Sequence, residues 1–120
     1  MTGYVLPLTA DPWQVMTLDL ELDGEMFHAQ LELRYLPAPD QWYVSIWDHS
    51  SSELLVNMIP LVCSYGQVND LLAPFRFLRS GKGLGTLVCL RATDEPSTPD
   101  PAGKNLNEFI VAWGDTYDGT

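Results

Sequence analysis

The stretch from Val15 to Tyr35 constrains the fold more than any other part of the chain. In VMTLDLEL, residues 15–22, Met16, Leu18, Leu20 and Leu22 fall on one side of an extended backbone, while Thr17, Asp19 and Glu21 fall on the other. Side chains alternate along a strand with period two, so this pattern predicts a half-buried strand. Asp23-Gly24 follows at once, the dipeptide that best tolerates the positive φ angles of a two-residue type I′ turn. The two signals test each other. Pairing Leu22 with Glu25 sets Leu20 opposite Phe27, Leu18 opposite Ala29 and Met16 opposite Leu31, so these apolar residues meet apolar partners on one side of the ribbon. Leu33 and Tyr35 continue that face, and His28, Gln30, Glu32 and Arg34 continue the solvent face. Residues 14–36 are therefore predicted to form a hairpin of fixed register.

The remaining segments read as further strands. Tyr4-Val5-Leu6-Pro7-Leu8 is a short opening strand whose Pro7 suits an edge or a strand end, because proline has no amide hydrogen for a ladder. After the stiff turn Pro37-Ala38-Pro39-Asp40, Gln41 to Trp47 alternates again, with Trp42, Val44 and Ile46 against Tyr43, Ser45 and Trp47. Aromatics on both faces predict a central strand. Asp48 to Ser52 is a loop of hairpin length, and Glu53 to Val62 returns as the partner strand until Pro60 interrupts its donors.

Ile59 to Leu90 is the densest cluster of hydrophobic and turn-forming residues. It opens like a strand, breaks at Gly66, offers one helical turn at Asn69 to Ala73, and restarts at Pro74 with the alternating Phe75-Arg76-Phe77-Leu78. Ser80-Gly81-Lys82-Gly83 reads as a turn feeding a strand from Thr86 to Ala92. Residues 93–105 hold three prolines and no large apolar residue, which predicts a long exposed loop. The last strand runs from Asn107 to Trp113, and 114–120 is a polar tail. About seven strands with at most one short helical turn predict a single all-β domain over residues 1–120, either an antiparallel β-sandwich or a small β-barrel.

Charge narrows the partners. Sixteen acidic residues against six basic ones give a net charge of -10, a surface that repels polyanions and excludes sequence-specific nucleic-acid binding. No run approaches the ~18 apolar residues of a membrane span, so membrane insertion is not expected. The first residues also lack the basic-then-apolar pattern of a secretion signal.

Chemistry-bearing residues are few. Asp48-His49 sets a carboxylate beside an imidazole, a pairing that orients histidine for acid–base work. Neighbours on a strand point to opposite faces, however, and a serine-rich loop is an ordinary place for solvated polar groups. His28, on the polar face of the hairpin, reads the same way. Two cysteines and two histidines without CxxC or HxxxH spacing predict no metal centre. Asp94, Glu95 and Asp100 could gather a calcium ion, but solvation of an acidic loop accounts for them more simply. Gly81-Lys82-Gly83-Leu84-Gly85-Thr86 lacks the Walker spacing, and a strand follows where a phosphate loop requires a helix. No catalytic residue, cofactor or metal is therefore expected. Cys63 and Cys89 sit in apolar strand-like runs and read as small buried hydrophobes, with a disulfide between them left open. Trp13, Trp42, Trp47 and Trp113 belong either to a core or to a partner surface. At least one of Trp13 and Trp47 is expected outside the core, which leaves room for a carbohydrate-binding sandwich built on exposed Trp and acidic loops.

A narrower reading comes from resemblance. Ile59-Pro60-Leu61-Val62, the segment Asp70-Leu71-Leu72-Ala73-Pro74-Phe75-Arg76-Phe77-Leu78 and Gly83-Leu84-Gly85-Thr86-Leu87 resemble a family of small tailed-phage proteins named after the baseplate plug of a cyanophage with a contractile tail. Tyr4-Val5-Leu6-Pro7-Leu8, the alternating strand ending at Asp23-Gly24, the strand around Trp42 and Asn105-Leu106 match as well, so the resemblance spans nearly the whole chain. The loop from Thr93 to Lys104 is long for the family. The resemblance implies a non-enzymatic virion structural protein, made in the host cytoplasm and placed at the baseplate hub. There it would help close the distal end of the tail tube before infection. Other baseplate proteins (hub, spike and tube-end proteins) are the implied partners, with several copies around the tail axis and three as the first guess. Contacts are expected through edge strands and exposed aromatics, namely Trp13, Trp47, Pro74, Phe75, Phe77 and Trp113.

Overall fold

The computed structural model describes residues 3–9, 11–64, 67–78, 81, 83–103 and 105–116. Among the described residues seven strands follow one another: β1 (Gly3–Val5), β2 (Trp13–Leu22), β3 (Glu25–Leu36), β4 (Gln41–Asp48), β5 (Glu53–Pro60), β6 (Thr86–Arg91) and β7 (Phe109–Gly114). They form two antiparallel sheets, one ordered β2, β3, β4, β5 and the other β1, β7, β6. The fold is all-β, as the alternation and turn signals predict.

The β2–β3 hairpin has the register set by its turn. Leu22 pairs with Glu25, Leu20 with Phe27, Leu18 with Ala29 and Met16 with Leu31. Asp23 and Gly24 carry φ angles of 52° and 85°, the double positive φ that a type I′ turn demands. Leu20, Leu22, Phe27, Ala29, Leu31 and Leu33 are buried in consequence, and each large apolar side chain so covered contributes about 1.5–3 kcal/mol. β4 lies between β3 and β5, and its Trp42, Val44, Ser45 and Ile46 are buried. Opposite Ser45 the β5 register shifts, Met58 takes a φ of 48°, and its amide donates to Ser45 Oγ at 2.9 Å. Such a bulge twists an edge and ends regular pairing.

Residues 61–64 decide how the two sheets meet. The Leu61 amide still donates to Trp42 O at 2.9 Å, so this chain continues alongside β4. Two residues later Cys63 forms an isolated parallel bridge to Cys89 of β6, and the Ser64 amide donates to Cys89 O at 2.8 Å. The sheets are thus stitched along one side. On the other side β1 and β2 are both edge strands, so the molecule is a sandwich closed along a single seam.

Trp113 joins the layers from within. Its indole Nε1 donates to Leu84 O at 2.6 Å, and its ring meets Phe27 edge-on at 6.1 Å. Gly85 allows the neighbouring approach: at φ 75° a Cβ there would lie 2.1 Å from Gly114 O, so no other residue fits.

Several boundaries differ from the sequence expectation. The segment from Pro74 to Leu78 is not a strand. Ala73–Phe75 forms a 3-10 turn, and Phe75 and Leu78 amides donate back to Leu72 and Phe75 carbonyls at 2.9 and 3.1 Å. Asp70 starts this turn by accepting the Leu72 amide on Oδ1 at 2.9 Å, and proline suits a helical first turn because its missing N–H is not needed there. The helical turn therefore falls later than Asn69–Ala73. The opening strand ends at Val5, although Leu6 still donates to Val111 O at 2.9 Å. A second 3-10 turn, Asn105–Glu108, replaces the first residues of the predicted final strand. The predicted break at Gly66, the Ser80 and Lys82 positions of the glycine-rich turn and the tail beyond Thr116 lie outside the described residues.

Candidate interaction surface

The predicted contact residues divide into three places. Trp13 and Trp47 share the outer face of the four-stranded sheet, where β3 residues Arg34 and Gln30 are their register partners. Trp13 is 59% exposed and held in place. Its Nε1 donates to Glu32 Oε2 at 2.8 Å, its amide donates to Asp11 Oδ1 at 3.0 Å, and the Arg34 guanidinium lies 5.4 Å from its ring centroid. Trp47 is half-buried on the same face, as is Tyr43.

Pro74 and Phe75 belong to a second place, an apolar groove of about 330 Å³ lined with Ile59, Pro60, Val62 and Leu71. Phe77, just beyond the turn, is 70% exposed. Trp113 belongs to neither surface: at 0% exposure it is a core residue. It therefore has no outward face to offer a partner.

One side chain organises the groove. The Asp70 carboxylate is only 8% exposed. Oδ1 accepts amides from Leu72 at 2.9 Å and Leu87 at 3.2 Å, and Oδ2 meets Thr86 Oγ1 at 3.4 Å and Arg76 Nη2 at 3.3 Å. A short acidic side chain bonding an amide two residues on is an Asx turn, the one local signal that could have singled out Asp70. Ile59, Val62 and Leu71 carry no such signal, since they meet only in the folded chain.

Several of the groups considered for chemistry make structural hydrogen bonds. Asp48 Oδ1 accepts the Ser50 amide at 3.0 Å, shaping the β4–β5 loop, while His49 is exposed. His28 Nδ1 lies 2.6 Å from Asp19 Oδ1 on the open hairpin face. In the loop after β6, Thr93 to Glu95 are exposed, but the chain then tucks in and Pro101 is buried. Asp100 Oδ1 accepts the Cys63 amide at 2.8 Å, Trp42 Nε1 donates to Gly103 O at 3.2 Å, and the Gly103 amide donates to Asp40 Oδ1 at 3.0 Å. Tyr35 also donates to Asp40, which raises the phenol's pKa. Cys63 and Cys89 are free thiols. Burial first, and the adjoining Cys63 second, push the Cys89 thiol far above its ordinary range. Among the described residues no three His, Cys, Asp or Glu side chains group as metal ligands would. No helix among them is long and apolar enough to cross a membrane.

Fold and surfaces together define a small two-sheet β protein whose prominent outward features are aromatic and apolar. The chain belongs to the family of the cyanophage baseplate Pam3 plug gp18, whose family model matches residues 4–116. Such a family is structural and in general non-enzymatic, and membership implies a place in the phage virion tail among other baseplate components. No curated protein matches the chain.

Proposed function

We propose that this chain is a hub-level plug that helps close the distal end of the tail tube before infection. The family match over residues 4–116 carries the reading. The chain is made in the host cytoplasm and built in several copies around the tail axis, with three the starting expectation, against hub, spike and tube-end proteins. Two features support it. A plug must touch more than one neighbour, and the chain has two separate candidate contact surfaces, the sheet face that carries Trp13 and Trp47 and the apolar groove with Pro74 and Phe75, beside which Phe77 is exposed. A net charge of -10 also suits a neighbour of the DNA conduit, because it gives the genome no salt links. The carbohydrate reading is weakened by Arg34, which takes up one face of the exposed Trp13 ring.

Mass spectrometry of intact and tail-stripped virions, followed by a baseplate reconstruction, tests the proposal. The expected outcome is a chain that leaves with the tail and fills density at the tube's distal end. A baseplate without the chain would overturn it.

A further inference from the structure

We propose that the free edge of β2 accepts an extended, basic segment of a neighbouring protein as an added strand. In a two-residue hairpin the residues flanking the turn exchange main-chain hydrogen bonds, and every second residue along the strand repeats this. Leu22 and Glu25 flank the turn here, so Leu20, Leu18, Met16 and Gln14 also direct their N–H and C=O groups at β3. Glu21, Asp19, Thr17 and Val15 direct theirs away from it. β2 is an outermost strand of its sheet, and among the described residues no backbone group meets that outward row.

The other edges are protected. β5 is broken by register shifts, a positive φ at Met58 and a terminal Pro60, the devices that keep a sheet edge from pairing. β1 is three residues long, and the outer side of β6 is met by the Cys63 bridge and by the Ser64 and Leu71 amides. β2 has ten residues, no proline and no register shift. Only the charges of Asp19 and Glu21 guard it, with His28 beside Asp19.

Those charges choose the occupant. A second copy paired antiparallel about Thr17 would set Asp19 against Val15 and Glu21 against Trp13, carboxylates on apolar side chains. Parallel pairing would set acid beside acid, and each copy carries a net charge of -10. A strand with Lys or Arg opposite Asp19 and Glu21, and an apolar residue opposite Val15, satisfies every position. It would also cover Val15 and Trp13, which are 53% and 59% exposed. Strand addition of this kind takes affinity from main-chain bonds and specificity from alternate side chains. The inference rests on the reading that the chain works among other proteins, while its geometry belongs to this chain alone.

The test uses the purified full chain and a short synthetic peptide, alternating Thr and Val, with two lysines toward one end and leucines toward the other. A matched peptide carries glutamates for the lysines. The lysine peptide is expected to slow amide exchange at Val15, Thr17, Asp19 and Glu21 by about tenfold or more, and the glutamate peptide to leave it unchanged. Thr17→Pro removes one outward N–H without touching the bonds to β3 and is tolerated on an edge; it should weaken peptide binding by roughly tenfold. The Asp19→Lys, Glu21→Lys double variant keeps the backbone and should exchange the preference between the two peptides. Equal binding of both peptides, unprotected amides, or dimerisation of the chain through β2 in ultracentrifugation would each overturn the proposal. A virion lacking the chain would end the baseplate reading and leave these binding results in force.

Discussion

The β2–β3 hairpin and the crossover from residue 61 to residue 85 solve the same problem in opposite ways. Along the hairpin, support is spread over ten successive residue pairs, from Trp13 with Arg34 to Leu22 with Glu25. Across the crossover no strand forms among the described residues, and one carboxylate gathers the amides of Leu72 and Leu87 together with Thr86 and Arg76. The Leu71 amide adds one direct bond to Leu87 O at 2.9 Å. A ladder loses little when one side chain goes. A hub of this kind loses several partners at once.

Substitution measures that difference. Asp70→Ala deprives the Leu72 and Leu87 amides of this acceptor, and buried donors left without one are costly; urea unfolding should show a loss of about 3 kcal/mol. A loss below ~1 kcal/mol would break the contrast, because it would place Asp70 on the level of an ordinary surface residue. In the hairpin the largest backbone-specific effect is expected at Gly24→Ala. Nothing lies within 4 Å of a Cβ there, so the cost is only that of holding alanine at a positive φ, about 1 kcal/mol in the same measurement. Glu21→Ala, a single exposed ladder side chain, should stay within ~0.5 kcal/mol.

The smallest effect belongs to the seam. Because the folded Cys89 pKa is raised, its contribution to stability is present below the thiol's ordinary value of 9.0 and fades as pH climbs past it. The native chain should therefore react slowly with an aromatic disulfide reagent at mildly alkaline pH. Cys63→Ala should leave Cys89 slow, since burial outweighs the neighbouring thiol. Fast labelling in that variant would mean that the pair, and not the packing, protects the seam.

The hairpin was legible because two independent signals, a two-residue turn and a period-two pattern, agree on one register. The central place of β4 was legible from aromatics on both faces. The choice between sandwich and barrel was not, because it depends on Cys63 meeting Cys89, residues distant in sequence and joined by a single parallel bridge. Phe75 to Leu78 misleads for a different reason. Four alternating residues are too few to outweigh a proline and the Asx turn at Asp70 before it. Trp13 and Trp113 show the same limit at the surface. Both are strand tryptophans, yet only the second faces the opposing sheet and Phe27. The groove was half legible: Pro74 and Phe75 lie on one segment, but Ile59 and Val62 come from another.

The division of tryptophans between core and surface gives the molecule its own optical readout. Trp42 and Trp113 are buried with indoles bonded to carbonyls, so their emission should be blue and shielded from dissolved quenchers. Trp13 is in water and red-shifted. The acidic surface repels iodide and attracts caesium, so a cationic quencher reaches Trp13, and less fully the half-buried Trp47, before the two core tryptophans. A protein landing on β2 would change the colour of Trp13 while Trp113 stays as an internal reference, and unfolding would reverse that order. Docking and unfolding can thus be followed separately in one unlabelled sample.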